Sequence, residues 1–170
     1  MNIVLFGFMG TGKTAVAQAL ARRLGLSWTD MDRAIEERAG MSITRIFEKH
    51  GESHFRSLER SLVEDLVKEK DKVISTGGGV VTQSDNVKDL MSWGLCICLN
   101  STLQAIYDRT KHRHDRPLLK GDDPMKKIRD LLREREGVYR QIPIQIDTTD
   151  KSVYDVVEKI LEILNRSPAE

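Results

Sequence analysis

Short continuous apolar runs alternate along this chain with longer stretches in which apolar residues return every three or four positions. Runs such as Ile3-Val4-Leu5-Phe6 and Leu95-Cys96-Ile97-Cys98-Leu99 have no polar alternation, as expected of strands buried on both faces. The pattern predicts strands at Asn2–Phe6, Ser27–Asp30, Lys72–Ser75, Leu95–Asn100 and Ile144–Asp147. Helices are expected over Lys13–Leu24, Asp32–Ala39, Ile43–His50, Glu52–Lys70, Asp85–Ser92, Thr102–Thr110, Pro124–Glu136 and Ser152–Leu164. Ser42, Ser84 and Ser101 stand where N-caps belong, and Pro124 suits a first helical turn. Strands alternating with helices read as βαβ units, hence an α/β chain with a parallel sheet covered on both faces. The polar segment Lys111–Asp123, KHRHDRPLLKGDD, breaks the rhythm between two helical patterns, and a loop of that length inside a compact domain reads as a functional lid. The tail Asn165–Glu170 is expected to fray.

Composition narrows the function classes. At 170 residues the chain fits a single domain, and 39% hydrophobic with 31% charged residues is ordinary globular usage. A formal charge of +1 favours neither nucleic acid nor an anionic membrane as partner, so any basic site must be local. No apolar run approaches a membrane span, and the start MNIVLFGF has no signal-peptide pattern. Cys96 and Cys98, two apart on a strand, share a face and are expected as core residues of a reducing cytoplasm.

Candidate chemistry begins directly after the first strand. Gly7-Phe8-Met9-Gly10-Thr11-Gly12-Lys13-Thr14 matches G-x-x-x-x-G-K-[ST] between a predicted strand and a predicted helix. The glycines let backbone N–H groups curl towards phosphate oxygens, and the helix N-terminus adds partial positive charge. Lys13 would reach the β- and γ-phosphates, and the Thr14 hydroxyl could coordinate Mg²⁺. The guanine-reading N-K-x-D motif of GTPases is absent, since Asn100 is followed by Ser-Thr-Leu. The third strand runs KVISTGGG in place of an apolar run ending in an acid. A compact nucleotide-dependent kinase of small molecules fits better than a GTPase or a motor.

Three further clusters carry polar chemistry. Asp30 and Asp32 flank Met31 at the carboxyl end of a short strand, where open α/β sheets bind ligands; they could equally serve the dipole of the following helix. Arg56 and Glu59 sit three apart on a helix, where the two side chains can meet, and by spacing alone read as a surface ion pair. Gly77-Gly78-Gly79 costs conformational entropy, repaid by close backbone approach to a ligand or by a purely structural turn.

Taken together, GFMGTGKT, WTDMD, FRSLE, STGGGVV, and RPLL with the later REREGVYR resemble the shikimate kinase family in order along nearly the whole chain. The resemblance implies a three-layer α/β/α P-loop kinase fold: a five-stranded parallel sheet, a substrate-binding helical region and a mobile lid over about 111–123. It implies ATP as co-substrate with Mg²⁺, and phosphorylation of shikimate to shikimate 3-phosphate on the way to chorismate and the aromatic amino acids. By the same resemblance Gly10, Thr11, Gly12, Lys13, Thr14 and Ala15 hold the nucleotide, with Arg109 on the adenine. Thr14 and Asp30 serve the metal. Asp32, Arg56, Gly77, Gly78, Gly79 and Arg135 bind shikimate. Lys13, Asp32 and the lid's Arg116 carry the catalysis, Arg116 by closing onto the transferring phosphoryl group, where positive charge counts most. Shikimate and ATP are then the partners of a cytoplasmic monomer.

Some positions depart from the family pattern. Glu136-Gly137-Val138 precedes Tyr139 where many members have a proline and leucine, and Thr148–Val153 has no proline to lie against the adenine. His112 and His114 in the lid are read as solvated. The alternative assignment is gluconate kinase or another small sugar-acid kinase, against which the Asp32, Arg56 and triple-glycine set argues.

Overall fold

The computed structural model describes residues 1–112 and 123–166. Arg116, His114 and most of the expected lid therefore lie outside the described residues. Five strands form one parallel sheet: β1 (Asn2–Gly7), β2 (Ser27–Asp30), β3 (Lys72–Ser75), β4 (Leu95–Asn100) and β5 (Ile144–Asp147), in the order β2-β3-β1-β4-β5. Each predicted strand is found, β1 one residue longer than expected.

Side chains alternate across the pleat, so each central strand feeds two cores. Ile3, Leu5, Val73, Ile97 and Leu99 face α1 (Lys13–Leu24) and α7 (Val153–Arg166). Val4, Phe6, Ile74, Cys96 and Cys98 face the other layer, built from α2 (Met31–Ala39), α3 (Ile43–Leu66), α4 (Ser84–Trp93), α5 (Leu103–Thr110) and α6 (Pro124–Tyr139). This is the expected three-layer arrangement. Cys96 and Cys98 share one face and are both free and buried, and burial pushes their thiols up to about 12. Among the described residues no helix is long and apolar enough to cross a membrane.

The helix ends correct several expectations. The two helices expected around Gly51 are present as α3, bent at Gly51, whose φ of 81° no helix allows. The second part stops at Leu66 rather than Lys70, in a turn where the amides of Lys68 and Glu69 bond to Asp65 and Leu66 carbonyls. Ser42 caps α3 as expected, but Ser84 and Ser101 are not caps. Gln83 occupies the capping position of α4 without a capping bond, its amide donating instead to the Arg56 carbonyl. Thr102 caps α5 by accepting from the Ala105 N–H, while the Ser101 hydroxyl accepts from Arg109. Pro124 does open α6, which runs on to Tyr139, one turn beyond Glu136. Asn165 and Arg166, expected to fray, complete α7.

Candidate active site

Neighbouring parallel strands end on the same edge of the sheet. With β1 pairing in register with β3, the turn after Gly7 and the turn after Ser75 open side by side. The first is the phosphate-binding turn. Gly12 leads into α1 in a left-handed conformation, φ 92°, and Lys13 begins the helix, with Thr14 and Ala15 in its exposed first turn. The Lys13 ammonium, mostly buried, donates to the carbonyls of Gly7 at 2.8 Å and Phe8 at 3.0 Å, which fixes it across the loop. The Thr11 hydroxyl donates to the Phe8 carbonyl.

Thr14 and Asp30 meet as the sequence suggests. The Thr14 hydroxyl donates to Asp30 Oδ2 at 2.5 Å, and Ser75 Oγ, at the end of β3, donates to the same oxygen at 3.3 Å. The other carboxylate oxygen, Oδ1, accepts from the Arg33 amide and caps α2. Asp30 thus serves the helix and the site at once, one oxygen each. Ser75 went unrecognised in the sequence, although its place one residue before Thr76-Gly77 at a strand end was a usable signal. Three hydroxyl or carboxylate oxygens so grouped are hard ligands of the kind Mg²⁺ takes.

A second group of polar residues gathers around the triple glycine. A side-chain carbon on Gly77 would lie 2.6 Å from Asp32 Oδ1 and 3.3 Å from Glu59 Oε1. One on Gly78 would come within 3.1 Å of the Met9 amide nitrogen, and one on Gly79 within 2.5 Å of the Arg56 guanidinium. These glycines therefore permit close approach of the protein's own polar groups to the turn. Val80 N–H bonds back to the Gly77 carbonyl, and a short 3-10 turn over Val80–Thr82, not foreseen from sequence, completes the loop.

Arg56 and Arg135 reach this turn from different helices. Arg56 is not the surface residue its helical spacing alone allowed: its side chain is 12% exposed. It donates to Glu59 at 3.0 Å and Glu52 at 3.1 Å. Arg135, buried, donates from Nη1 to the Gly78 carbonyl at 3.1 Å and rides over the Phe8 ring at 5.8 Å, while its Nε has no partner among the described residues. Arg109 reaches the phosphate loop from α5. Its guanidinium donates to the carbonyls of Gly10, Thr148 and Thr149 at 3.1, 2.7 and 2.8 Å. Thr148, which had no sequence signal, lies with Oγ1 3.0 Å from the Thr11 and Asn100 carbonyls and ties the final loop to the phosphate turn.

Glu59 is the electrostatic outlier. Burial raises its carboxyl from 4.5 to about 7, against the attraction of Arg56 and with a further push from Asp32. Its Oε1 has no hydrogen-bond partner among the described residues. The folded chain therefore holds this proton to a higher pH than the unfolded chain does, so stability falls as pH rises from 4.5 to about 7 and is level above. Over that window the wild type should lose about 3 kcal/mol relative to Glu59→Gln, followed by urea unfolding at each pH. A gap between the two proteins that does not vary with pH would mean that this carboxyl ionises normally.

Comparison with known proteins places the chain in a family. A family model described as shikimate kinase matches residues 9–165. The chain is 45% identical over 160 residues to a shikimate kinase of Caldanaerobacter subterraneus subsp. tengcongensis, covering 94% of each chain. A solved shikimate kinase from Acinetobacter baumannii, in complex with shikimate, superposes with a TM-score of 0.96 at 37% identity, over 99% of this chain and 95% of that one. A gluconokinase from Sinorhizobium meliloti, at TM-score 0.64 and 16% identity over 97% and 91% of the two chains, shares the fold alone. On the family model and on near-full-length identity, this chain belongs to the shikimate kinase family.

Proposed function

We infer that this chain transfers the γ-phosphoryl group of ATP to shikimate, giving ADP and shikimate 3-phosphate. One observation carries the reading: two largely buried guanidiniums, Arg56 and Arg135, converge from separate helices on a glycine turn that touches the phosphate loop. Such a clamp suits a small acceptor bearing a carboxylate, because planar forks match carboxylate geometry. Asp32, against the same turn, suits an acceptor hydroxyl. In this reading the hydroxyl oxygen forms the new bond to the γ-phosphorus as the bond to the β-bridging oxygen breaks. The hydroxyl proton passes to the Asp32 carboxylate, and ADP leaves.

Lys13 and the amides of Gly10, Thr11, Gly12, Thr14 and Ala15 hold the phosphates, and Arg109 lies against the adenine. Thr14 and Asp30, with Ser75 beside them, are the residues fitted to Mg²⁺, which when bound would neutralise phosphate charge. Arg116 is assigned to the transferring phosphoryl group on its place in the RPLL motif alone. The sugar-acid alternative is disfavoured by the low identity to the gluconokinase against the near-full-length identity to shikimate kinases; the clamp by itself would accept either carboxylate.

A coupled ADP-release assay across shikimate, quinate, gluconate and nucleoside monophosphates tests the substrate. Shikimate should stand well above the others, and turnover of gluconate at an equal rate would overturn the assignment. Asp32→Asn keeps the shape and removes the charge that draws off the proton. Its kcat should fall by about 10²–10⁴, the usual contribution of a positioned base, while ATP affinity changes little. A variant with normal kcat would remove Asp32 from proton transfer.

A further inference from the structure

Tyr139 ends α6, one helical turn after Arg135 on the same face, and the kinase chemistry above gives it no part. Its ring is buried in the core layer, but its hydroxyl leaves the core and donates to the Gly78 carbonyl at 2.5 Å. Arg135 Nη1 donates to that same oxygen at 3.1 Å. A carbonyl has two lone pairs, and here both are taken by donors from one helix. We propose that Tyr139 is a positioning residue for the acceptor: its hydroxyl holds the Gly78 carbonyl, and so aims the Gly79 amide at the substrate.

The peptide plane explains the transmission. In a trans peptide the carbonyl and the following N–H point in opposite directions, so fixing the Gly78 oxygen towards α6 turns the Gly79 N–H away from it. Neither the Gly78 nor the Gly79 N–H bonds to an acceptor among the described residues, and Gly79 itself lies against the Arg56 guanidinium. Both amides are thus donors at the clamp's own turn. The helix end that carries the phenol is secured from outside, where Gln145 Nε2 donates to the Tyr139 and Ile142 carbonyls at 2.9 and 2.6 Å.

Two donors are needed because Arg135 has a second duty. Its Nε is buried without a partner among the described residues, which leaves the guanidinium ready for a substrate carboxylate. When Arg135 turns part of its hydrogen bonding to that anion, the phenol keeps the turn in place. Burial raises the Tyr139 pKa, so the phenol stays protonated and remains a donor. A phenylalanine would fill the same core space without the latch.

The proposal rests on the reading of this turn as a shikimate site, and two measurements on the full chain separate them. In Tyr139→Phe the KM for shikimate should rise about fivefold to tenfold, as for one lost buried hydrogen bond, with the KM for ATP held within about twofold. Independently of any substrate, hydrogen exchange of the Val80 and Thr82 amides, which bond to the Gly77 and Gly79 carbonyls, should quicken in the variant while α1 keeps its wild-type protection. Unchanged exchange in that turn would overturn the proposal, as would an equal rise in both KM values or a variant that does not fold, since the oxygen would then serve the fold as a whole. A wild-type chain inactive on shikimate would defeat the substrate reading, while the exchange result would still decide the latch.

Discussion

The contact between two loop backbones at Gly78 and Met9 governs the rest of this site. It follows from strand order: β1 and β3 are parallel neighbours, so their carboxyl ends deliver the phosphate loop and the glycine turn to the same place. A hydrogen in place of a side chain on Gly78 lets the turn come within reach of the Met9 amide. In-line transfer needs donor and acceptor a few ångströms apart, and in the proposed function this backbone contact would set that separation before either binds. Proximity of this kind is a large share of what an enzyme can contribute to a bimolecular reaction.

Around that contact the protein spends stability on charge. Arg56, Arg135, Glu59 and Asp32 crowd one turn, and two of their polar atoms, Glu59 Oε1 and Arg135 Nε, are buried without partners among the described residues. Unsatisfied buried groups are costly in a fold, and they gather where a ligand's oxygens can complete them. On the nucleotide side the opposite holds. Thr148 and Arg109 are saturated with carbonyl partners and stiffen the loop that α1 and the final turn share. One half is rigid by satisfaction, and the other is poised by deficit.

The strands were legible because buried parallel strands write themselves as unbroken apolar runs, and all five predicted strands are found. The phosphate loop was legible because Gly7, Gly10 and Gly12 take positive φ, and the triple glycine because a side chain there would run into Asp32, Met9 or Arg56. Less was readable where the partner is distant in sequence. Ser84 and Ser101 looked like caps, but Gln83 is drawn to the Arg56 carbonyl and Thr102 lies one residue closer to its helix. Helical spacing gave the Arg56–Glu59 pair correctly, yet could not say that it is buried, since burial depends on the glycine turn packed over it. Tyr139 was visible as part of a motif, and its i, i+4 relation to Arg135 placed both on one face. Its bond to a carbonyl 61 residues away was not.

The most direct test of this account is the affinity of Gly78→Ala for ATP, measured by calorimetry without any acceptor. Gly78 belongs to the acceptor turn, so a site made of two independent halves would leave nucleotide binding untouched. Here the added methyl would press on the Met9 amide within the phosphate loop, flanked by the buried Phe8. The account predicts weaker ATP binding in a folded variant; an affinity equal to the wild type would contradict it.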